Sequence, residues 1–256
     1  MPHWNDTRPA HQQIAAELRD RIMARRLEPG SKLPSTQQLM NEFGVVGTTV
    51  QKALQILKGE GFAVGHPGKG VFIREQPNHT IVPASYIPPP ESGAPDRWME
   101  QAAARSRTGA TRILDVAEVT APHDVAEALG LADGGTAVLR SRLMLLDDEP
   151  AELVRSYYPV ELARGTRLTD RRRIRGGSPT LLAELGHPPR EFVDRVSARP
   201  PTSEEFTVLE LPAEVCVLRT FRVVHSDGGR PIEASVMVKA GHLYELEYRL
   251  PVMPVI

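Results

Sequence analysis

The chain has 256 residues, 41% hydrophobic and 25% charged, with 31 Lys and Arg against 32 Asp and Glu. That balance excludes a disordered chain and suits one large domain or two small ones. No apolar run approaches the roughly 18 residues of a membrane-spanning helix. A single cysteine, Cys216, excludes an internal disulfide framework and a multi-cysteine metal site and suits a reducing cytoplasm; flanked by Val215 and Val217, it reads as buried packing rather than a nucleophile. The opening Met-Pro-His-Trp-Asn-Asp carries no basic-then-apolar leader pattern, so a cytoplasmic protein is expected.

Charge divides the chain unevenly. Residues 1–75 carry ten Lys and Arg against seven Asp and Glu, whereas residues 76–256 carry 21 against 25. A basic module ahead of an acidic one suits a tethered reader of nucleic acid, although ordinary surface scatter gives an excess of this size too. The stretch Gln76–Glu91 contains Pro77, Pro83, Pro88, Pro89 and Pro90. Proline removes backbone donors and fixes φ, so this stretch is predicted to be an extended linker. The expected organisation is a module over 1–75, a linker over 76–91 and a second domain over 92–256.

In the first module, Pro9 opens a helix whose apolar stripe is Ile14, Leu18 and Ile22, ending near Arg25 and Arg26. After Glu28-Pro29-Gly30, Ser35 and Gln38 stand at capping-box spacing and start a short helix that buries Leu39, Met40 and Phe43. Gly44 marks a tight turn. A third helix then runs to about Glu60, burying Val50, Ala53, Leu54 and Leu57 and presenting Thr48, Thr49, Gln51, Lys52 and Gln55. Phe62–Val64 and Val71–Ile73 are strand candidates around the glycine-rich tip Gly65-His66-Pro67-Gly68-Lys69-Gly70. Three helices with a short turn before the third, then a hairpin, form a winged helix-turn-helix. The third helix fits the major groove, and the glycines let the hairpin approach a phosphate or the minor groove closely.

The pattern Ile14, Leu33-Pro34-Ser35, Leu39, Phe43-Gly44-Val45, Thr49-Val50, Ala53-Leu54, Leu57, Gly61 and Gly68-Lys69-Gly70-Val71-Phe72-Ile73 resembles the N-terminal domain of the GntR family of bacterial transcription regulators, over about residues 8–74. Two places depart from it. The resemblance implies an arginine two residues after Leu-Pro-Ser, where this chain has Gln37, and Ser-Arg at the start of the third helix, where it has Val46-Gly47. Val is a poor N-cap, and Thr48 with Gln51 has capping-box spacing, so a helix start two residues later is expected. Losing two arginines removes charge-assisted DNA contacts. The expected DNA-binding residues are Ser35, Gln37, Thr48, Thr49, Lys52, Gly68, Lys69 and Gly70.

The rest of the chain repeats itself at an offset of about 80 residues. Val138-Leu139-Arg140 returns as Val217-Leu218-Arg219, and the turn Asp147-Asp148-Glu149-Pro150 returns as Asp227-Gly228-Gly229-Arg230-Pro231. Each copy follows an acidic helix and precedes a strand, Ala151–Tyr158 or Ile232–Val238. This predicts a pseudo-twofold α+β domain with an antiparallel sheet. Strand alternation places Arg140 with Arg142, Glu233 with Ser235, and Arg155 with Tyr157. Ser178-Pro179-Thr180 heads a helix with Ser178 as its cap, and a hydroxyl-bearing helix start beside arginines suits a phosphate or carboxylate. The alternative is that Arg140 and Arg155 pair with Glu152 or Glu233 within the fold. The basic run Arg167, Arg171, Arg172, Arg173 and Arg175 reads as an exposed loop.

Residues 80–250 resemble the UTRA effector-binding domain of the HutC branch of GntR regulators. The resemblance is carried by Val138-Leu139-Arg140, Arg142, Pro150, Arg155-Ser156-Tyr157, Pro159, Ser178, Leu181-Leu182, Leu185-Gly186, Arg199-Pro200, Glu204-Glu205 and Arg230-Pro231-Ile232-Glu233 with Ser235. It implies a chorismate-lyase-like fold, a small-molecule ligand and a homodimer formed through the C-terminal sheets. It also implies that Arg140, Arg142, Ser178 and Thr180, with Glu233 nearby, stand where some relatives hold a phosphate. Together with Arg155, Tyr157 and Ser235, these are the expected effector-binding residues. Val154 stands where the resemblance implies a ligand-contacting Glu, so a more apolar ligand is expected.

Enzyme motifs are missing: there is no paired His, phosphate loop, nucleophile elbow or dinucleotide fingerprint. No catalytic residue, metal or cofactor is expected. The reading is a cytoplasmic, homodimeric repressor on a palindromic operator, modulated by a small molecule. Its alternatives are a ligand-independent plasmid or architectural repressor and a lyase-like enzyme fused to a DNA-binding domain; a C-terminal pocket sealed by Leu and Phe would favour the ligand-independent repressor.

Overall fold

The computed structural model of the protein describes residues 6–74, 79–81, 97–104, 106–211, 215–241 and 244–248. The chain divides into two compact units, one within Met1–His79 and one built from Thr80–Leu211 and Cys216–Ile256. Of the linker expected over 76–91, only His79–Ile81 falls among the described residues, as a short strand.

The first unit holds α1 (Ala10–Met23), α2 (Thr36–Phe43), α3 (Gly47–Gly59) and the hairpin β1 (Ala63–His66) and β2 (Gly70–Ile73). Ile14, Ala15 and Leu18 of α1 meet Leu39 of α2 and Val50, Ala53, Leu54 and Leu57 of α3, closed by Leu33, Ala63 and Ile73. Burying one such leucine contributes roughly 1.5–3 kcal/mol, so this shared stripe sets the helix arrangement. The box expected at α2 forms: the Ser35 hydroxyl accepts from the Gln38 N–H at 3.3 Å, and the Ser35 N–H donates to the Gln38 side chain at 2.8 Å. Gly44 ends α2 in the left-handed region at φ 65°, which lets α3 turn off sharply.

The second unit contains β3 (His79–Ile81), α4 (Arg97–Ala103), β4 (Gly109–Thr120), α5 (His123–Leu129), β5 (Thr136–Leu146), β6 (Glu149–Pro159), α6 (Val160–Ala163), α7 (Gly177–Glu184), β7 (Glu191–Arg199), α8 (Ser203–Val208), β8 (Val217–His225), β9 (Pro231–Ala240) and β10 (Tyr244–Leu246). Six strands form one antiparallel sheet in the order β4-β5-β6-β9-β8-β7. Read inward from either edge, the order is the first, second and third strand of a repeat. In the cross-strand row Asp115, Ser141, Arg155, Val236, Phe221, Arg195, each residue of the first half matches one 80 or 81 positions later in the second. The repeat read from sequence is therefore an α+β unit and its copy, joined where β6 pairs with β9.

One face of this sheet packs on α5 through Ala137, Tyr157, Phe221 and Ala234. On the opposite face, Trp98 of α4 sits in the cluster containing Met144 and Val154, while Leu181 and Leu182 of α7 pack against Val138 and Tyr158. A cavity remains on this second face. Cys216 is exposed rather than buried, because the alternation that buries Val217 turns its neighbour outward.

Candidate nucleic-acid interface and effector cavity

With Val50, Ala53, Leu54 and Leu57 turned inward, α3 exposes Thr48, Gln51, Lys52 and Gln55, and Thr49 is half-buried. The helix begins at Gly47, not two residues later. Val46 stands at the cap with no side-chain hydrogen bond, and backbone bonding from Thr49 N–H to Val46 O at 3.0 Å closes the first turn. The box expected between Thr48 and Gln51 does not form, because the Gln51 amide donates to the Thr36 hydroxyl of α2 at 3.0 Å. Gln37 is exposed on α2 and donates to Asn41 at 3.0 Å. Ser35 spends its acceptor on the cap and keeps a hydroxyl hydrogen to donate.

The hairpin tip turns through Gly68 at φ 73° and Gly70 at φ 113°, conformations that favour glycine, and it leaves Lys69 exposed. Two further lysines lie against this wing. Lys32 bridges to Phe72, and its side chain passes so near Gly70 that a Cβ there would meet it at 2.7 Å; Lys58 reaches the same position at Gly65 with its ammonium at 3.2 Å. Sequence reading missed both. Lys32 is held against the wing because the Ser31-Lys32-Leu33 stretch bridges to β2, with the Leu33 N–H donating to Val71 O and the Ile73 N–H to Ser31 O, both at 2.9 Å.

The cavity on the second face of the six-stranded sheet encloses about 190 Å³. Its floor consists of three cross-strand rows. Arg140, Ser156, Ser235 and Arg222 form the first; Arg142, Val154, Met237 and Thr220 the second; Met144, Glu152 and Lys239 the third. Trp98, Ile113, Ile174, Pro179 and Phe192 are among its walls.

The two hydroxyls of the first row join Arg142 of the second row, Glu233 and Ser178 in one network. Arg142 donates to the Ser156 hydroxyl at 2.8 Å, which lies 2.7 Å from the Ser235 hydroxyl; Ser235 in turn donates to Glu233 at 2.6 Å, and Ser178 donates to the same carboxylate at 3.4 Å. Arg222 makes a two-pronged pair with Asp194 at 2.7 and 2.8 Å and stacks on Phe192 at 4.1 Å. Burial opposes the Arg222 charge, yet Asp194 holds the guanidinium above its ordinary pKa. In the third row the Lys239 ammonium bonds Glu152 at 2.7 Å, both buried.

Models of two families match the chain: "Bacterial regulatory proteins, gntR family" over residues 10–73 and "UTRA domain" over residues 104–245. This chain belongs to the GntR family and carries a UTRA domain. Among its relatives are an uncharacterised HTH-type transcriptional regulator of Streptomyces coelicolor, 26% identical with 94% of this chain and 92% of the relative covered, and the HTH-type transcriptional regulator GgaR of Escherichia coli, 26% identical with 93% and 90% covered. A crystal structure of a GntR-family transcriptional regulator superposes with a TM-score of 0.64 at 26% identity, covering 96% of this chain and 99% of that one. A GntR protein with a UTRA domain is a DNA-binding transcription regulator with an effector-binding domain, not an enzyme. Among the described residues no helix is long and apolar enough to cross a membrane, and no group of His, Cys, Asp and Glu is placed to hold a metal.

Within this GntR chain the expected effector residues do not all meet. Arg140, Arg142, Ser178, Glu233 and Ser235 line the cavity. Arg155 and Tyr157 point to the other face of the sheet, where Arg155 pairs with Glu204 at 2.5 Å and Tyr157 packs against α5. Thr180 donates back to Gly176 O at 2.9 Å. Ser178 is not the cap of α7; Gly176 is, in the left-handed region at φ 75°, and Ser178 is the second residue of the helix's first turn. Arg140 is committed as well. Its guanidinium, only 2% exposed, donates to the backbone carbonyls of Leu168 at 2.8 Å, Asp170 at 2.7 Å and Arg172 at 2.9 Å, with Arg167 at 3.4 Å. Burial lowers its pKa, and those carbonyls supply the compensation that a carboxylate was expected to give. The basic run is exposed as expected at Arg167, Arg171, Arg172, Arg173 and Arg175, and its backbone is what Arg140 ties down.

Proposed function

We propose that this chain is a dimeric repressor that reads a palindromic operator with α3 and the hairpin, and that a small molecule in the UTRA cavity sets its grip. The observation that carries the reading is the cavity itself. A sheet face lined by Arg142, Ser178, Glu233 and Ser235 and left open over about 190 Å³ is a ligand site rather than a sealed core. That argues against the ligand-independent alternative. On the DNA side, Thr48, Thr49 and Lys52 of α3, with Gln37 and Ser35 of α2, offer donors and acceptors to base edges and phosphates. Lys69, flanked by Gly68 and Gly70, follows the backbone beside them.

Twofold symmetry in a palindrome calls for two copies of the reader. Edge strand β7 supports the pairing, since it exposes Val193 and Val196 at 48% and 43%, apolar side chains an isolated edge would be expected to cover. A regulator that occupies promoter DNA works in the bacterial cytoplasm. The ligand acts only through its differential affinity for DNA-bound and free arrangements. Selection of bound sequences from random duplex, followed by mobility shifts with candidate ligands, tests the whole reading. An inverted repeat in the selected sites is the expected result, and absence of any sequence preference would sink it.

A further inference from the structure

Resting on the cavity as the effector site, we propose that the effector is an amphipathic monocarboxylate lying across the strands along the second row. Its carboxylate meets Arg142, its apolar body covers Val154 and Met237, and a hydrogen-bonding group at its far end meets Thr220.

The two flanking rows leave little for a ligand. Arg222 is held by Asp194, Lys239 by Glu152, and Ser156 and Ser235 by each other and by Glu233. The middle row differs. Among the described residues, the Arg142 Nε and the Thr220 Oγ1 are buried without a hydrogen-bond partner, and Thr220 is only 2% exposed. Both line the cavity, on β5 and β8, with only Val154 and Met237 between them in the register. A buried polar atom left unpaired is costly, so two of them at the ends of an apolar strip mark where a ligand's polar groups belong. Three strand spacings separate the ends, about 14 Å between backbones at roughly 4.8 Å each, with the side chains shortening the gap.

Charge and size narrow the class. The single positive charge of Arg142, with its Nε unpartnered, suits a single negative charge, and the buried Glu233 carboxylate nearby repels a dianion. Trp98, Ile113, Met144 and Phe192 make the surroundings apolar. A cavity of about 190 Å³ is somewhat larger than the roughly 150 Å³ void that holds the six carbons of benzene, which sets the enclosed part of the ligand at about eight non-hydrogen atoms.

The test is calorimetric titration of the full chain with 3-(4-hydroxyphenyl)propanoate and 8-hydroxyoctanoate, against 3-phenylpropanoate, octanoate and glucose 6-phosphate. The hydroxy acids are expected to bind. Thr220→Val should weaken them about 3- to 10-fold while leaving the acids without a hydroxyl within about twofold, and Thr220→Ser should restore the preference. Val154→Glu, which puts a second carboxylate mid-strip, should weaken every acid by at least about tenfold. Failure of both hydroxy acids to bind, equal losses for acids with and without the hydroxyl, or tighter binding of glucose 6-phosphate would each overturn the proposal. If glucose 6-phosphate binds and alters operator affinity, the effector site stands and only this ligand class falls. If the acids bind but operator affinity stays constant, the ligand class stands and the regulatory reading falls.

Discussion

Lys239 and Glu152 face one another across β9 and β6 as a buried ion pair, Nζ to Oε1 at 2.7 Å, with both residues at most 5% exposed. Removing one partner strands the other charge in the sheet. Lys239→Met alone is expected to cost about 3–5 kcal/mol, whereas Lys239→Met with Glu152→Leu should recover most of that, because desolvation consumes much of what a buried pair gains. Denaturant unfolding of the two single variants and the double variant measures the coupling; additive losses would show that the pair does not act as a unit.

Arg140 holds a loop and is expected to behave as a structural anchor. Arg140→Ala orphans carbonyls at residues 168, 170 and 172 and empties a site 2% exposed, at a cost on the order of 3 kcal/mol. The loop should then open, so trypsin should cut at Arg171, Arg172 and Arg173 far faster than in the parent chain. Any lost ligand response would follow from that opening. Unchanged proteolysis with a lost ligand response would return Arg140 to the ligand's own contacts.

Much of this architecture was legible in the sequence. The stripe Ile14, Leu18, Leu39, Val50, Leu57 specified the helical unit because each member is buried by the same core. The 80-residue repeat foretold the sheet because each copy carries its own helix and hairpin. The site was harder. Alternation told which residues of one strand share a face, but Arg155 and Tyr157 were still grouped with Arg140 and Arg142, because the pattern within a strand does not say which face the ligand takes. It could not tell that Arg140 is spent on carbonyls 27 to 32 residues away, nor that Arg222 and Thr220 join the same floor, since both depend on register between strands distant in sequence. The start of α3 was misread because Gln51 bonds to Thr36, a partner 15 residues back that local spacing does not reveal.

Val46 already has the extended backbone of a helix cap, φ −79° and ψ 157°, and is 64% exposed, yet offers no acceptor to α3. Val46→Ser should therefore stabilise the first unit by about 1 kcal/mol. For a unit of this size that is a rise of roughly 4–8 °C in its melting temperature, measurable by differential scanning calorimetry. An unchanged transition would mean that the backbone bond from Thr49 already satisfies this end of the helix.

Lys52 on α3 and Lys69 on the wing are both exposed. A lysine that neutralises a phosphate displaces condensed counterions, so its removal should lower affinity and flatten the salt dependence by about 0.9 in log–log slope. Lys52→Ala and Lys69→Ala should each show this on every duplex bound. Thr48→Ala should instead change which sequences are preferred, with the slope preserved, because base edges carry no condensed ions. An unaltered slope would remove a lysine from the contact surface.

Glu205 links acid sensitivity to the start of α8. It is 3% exposed, accepts from Arg199 at two 2.7 Å bonds and from the Thr202 N–H at 2.8 Å, and these bonds, Arg199 foremost, hold its pKa below the ordinary value of 4.5 despite burial. A depressed native pKa means that the unfolded chain takes up the proton first as acid is added. The stabilisation is therefore complete above about 4.5 and fades as pH falls through the lower native value. Arg199 keeps 34% of its side chain exposed, so water screens part of the pair and the expected contribution is about 1–2 kcal/mol. Glu205→Gln preserves the capping geometry but not the charge. It should lose that amount at pH 7 and unfold with a shallower dependence on acid, until the two proteins converge below the native pKa. Urea midpoints measured from pH 7 to pH 3 decide it, since parallel curves would mean that Glu205 stabilises the helix start without its charge.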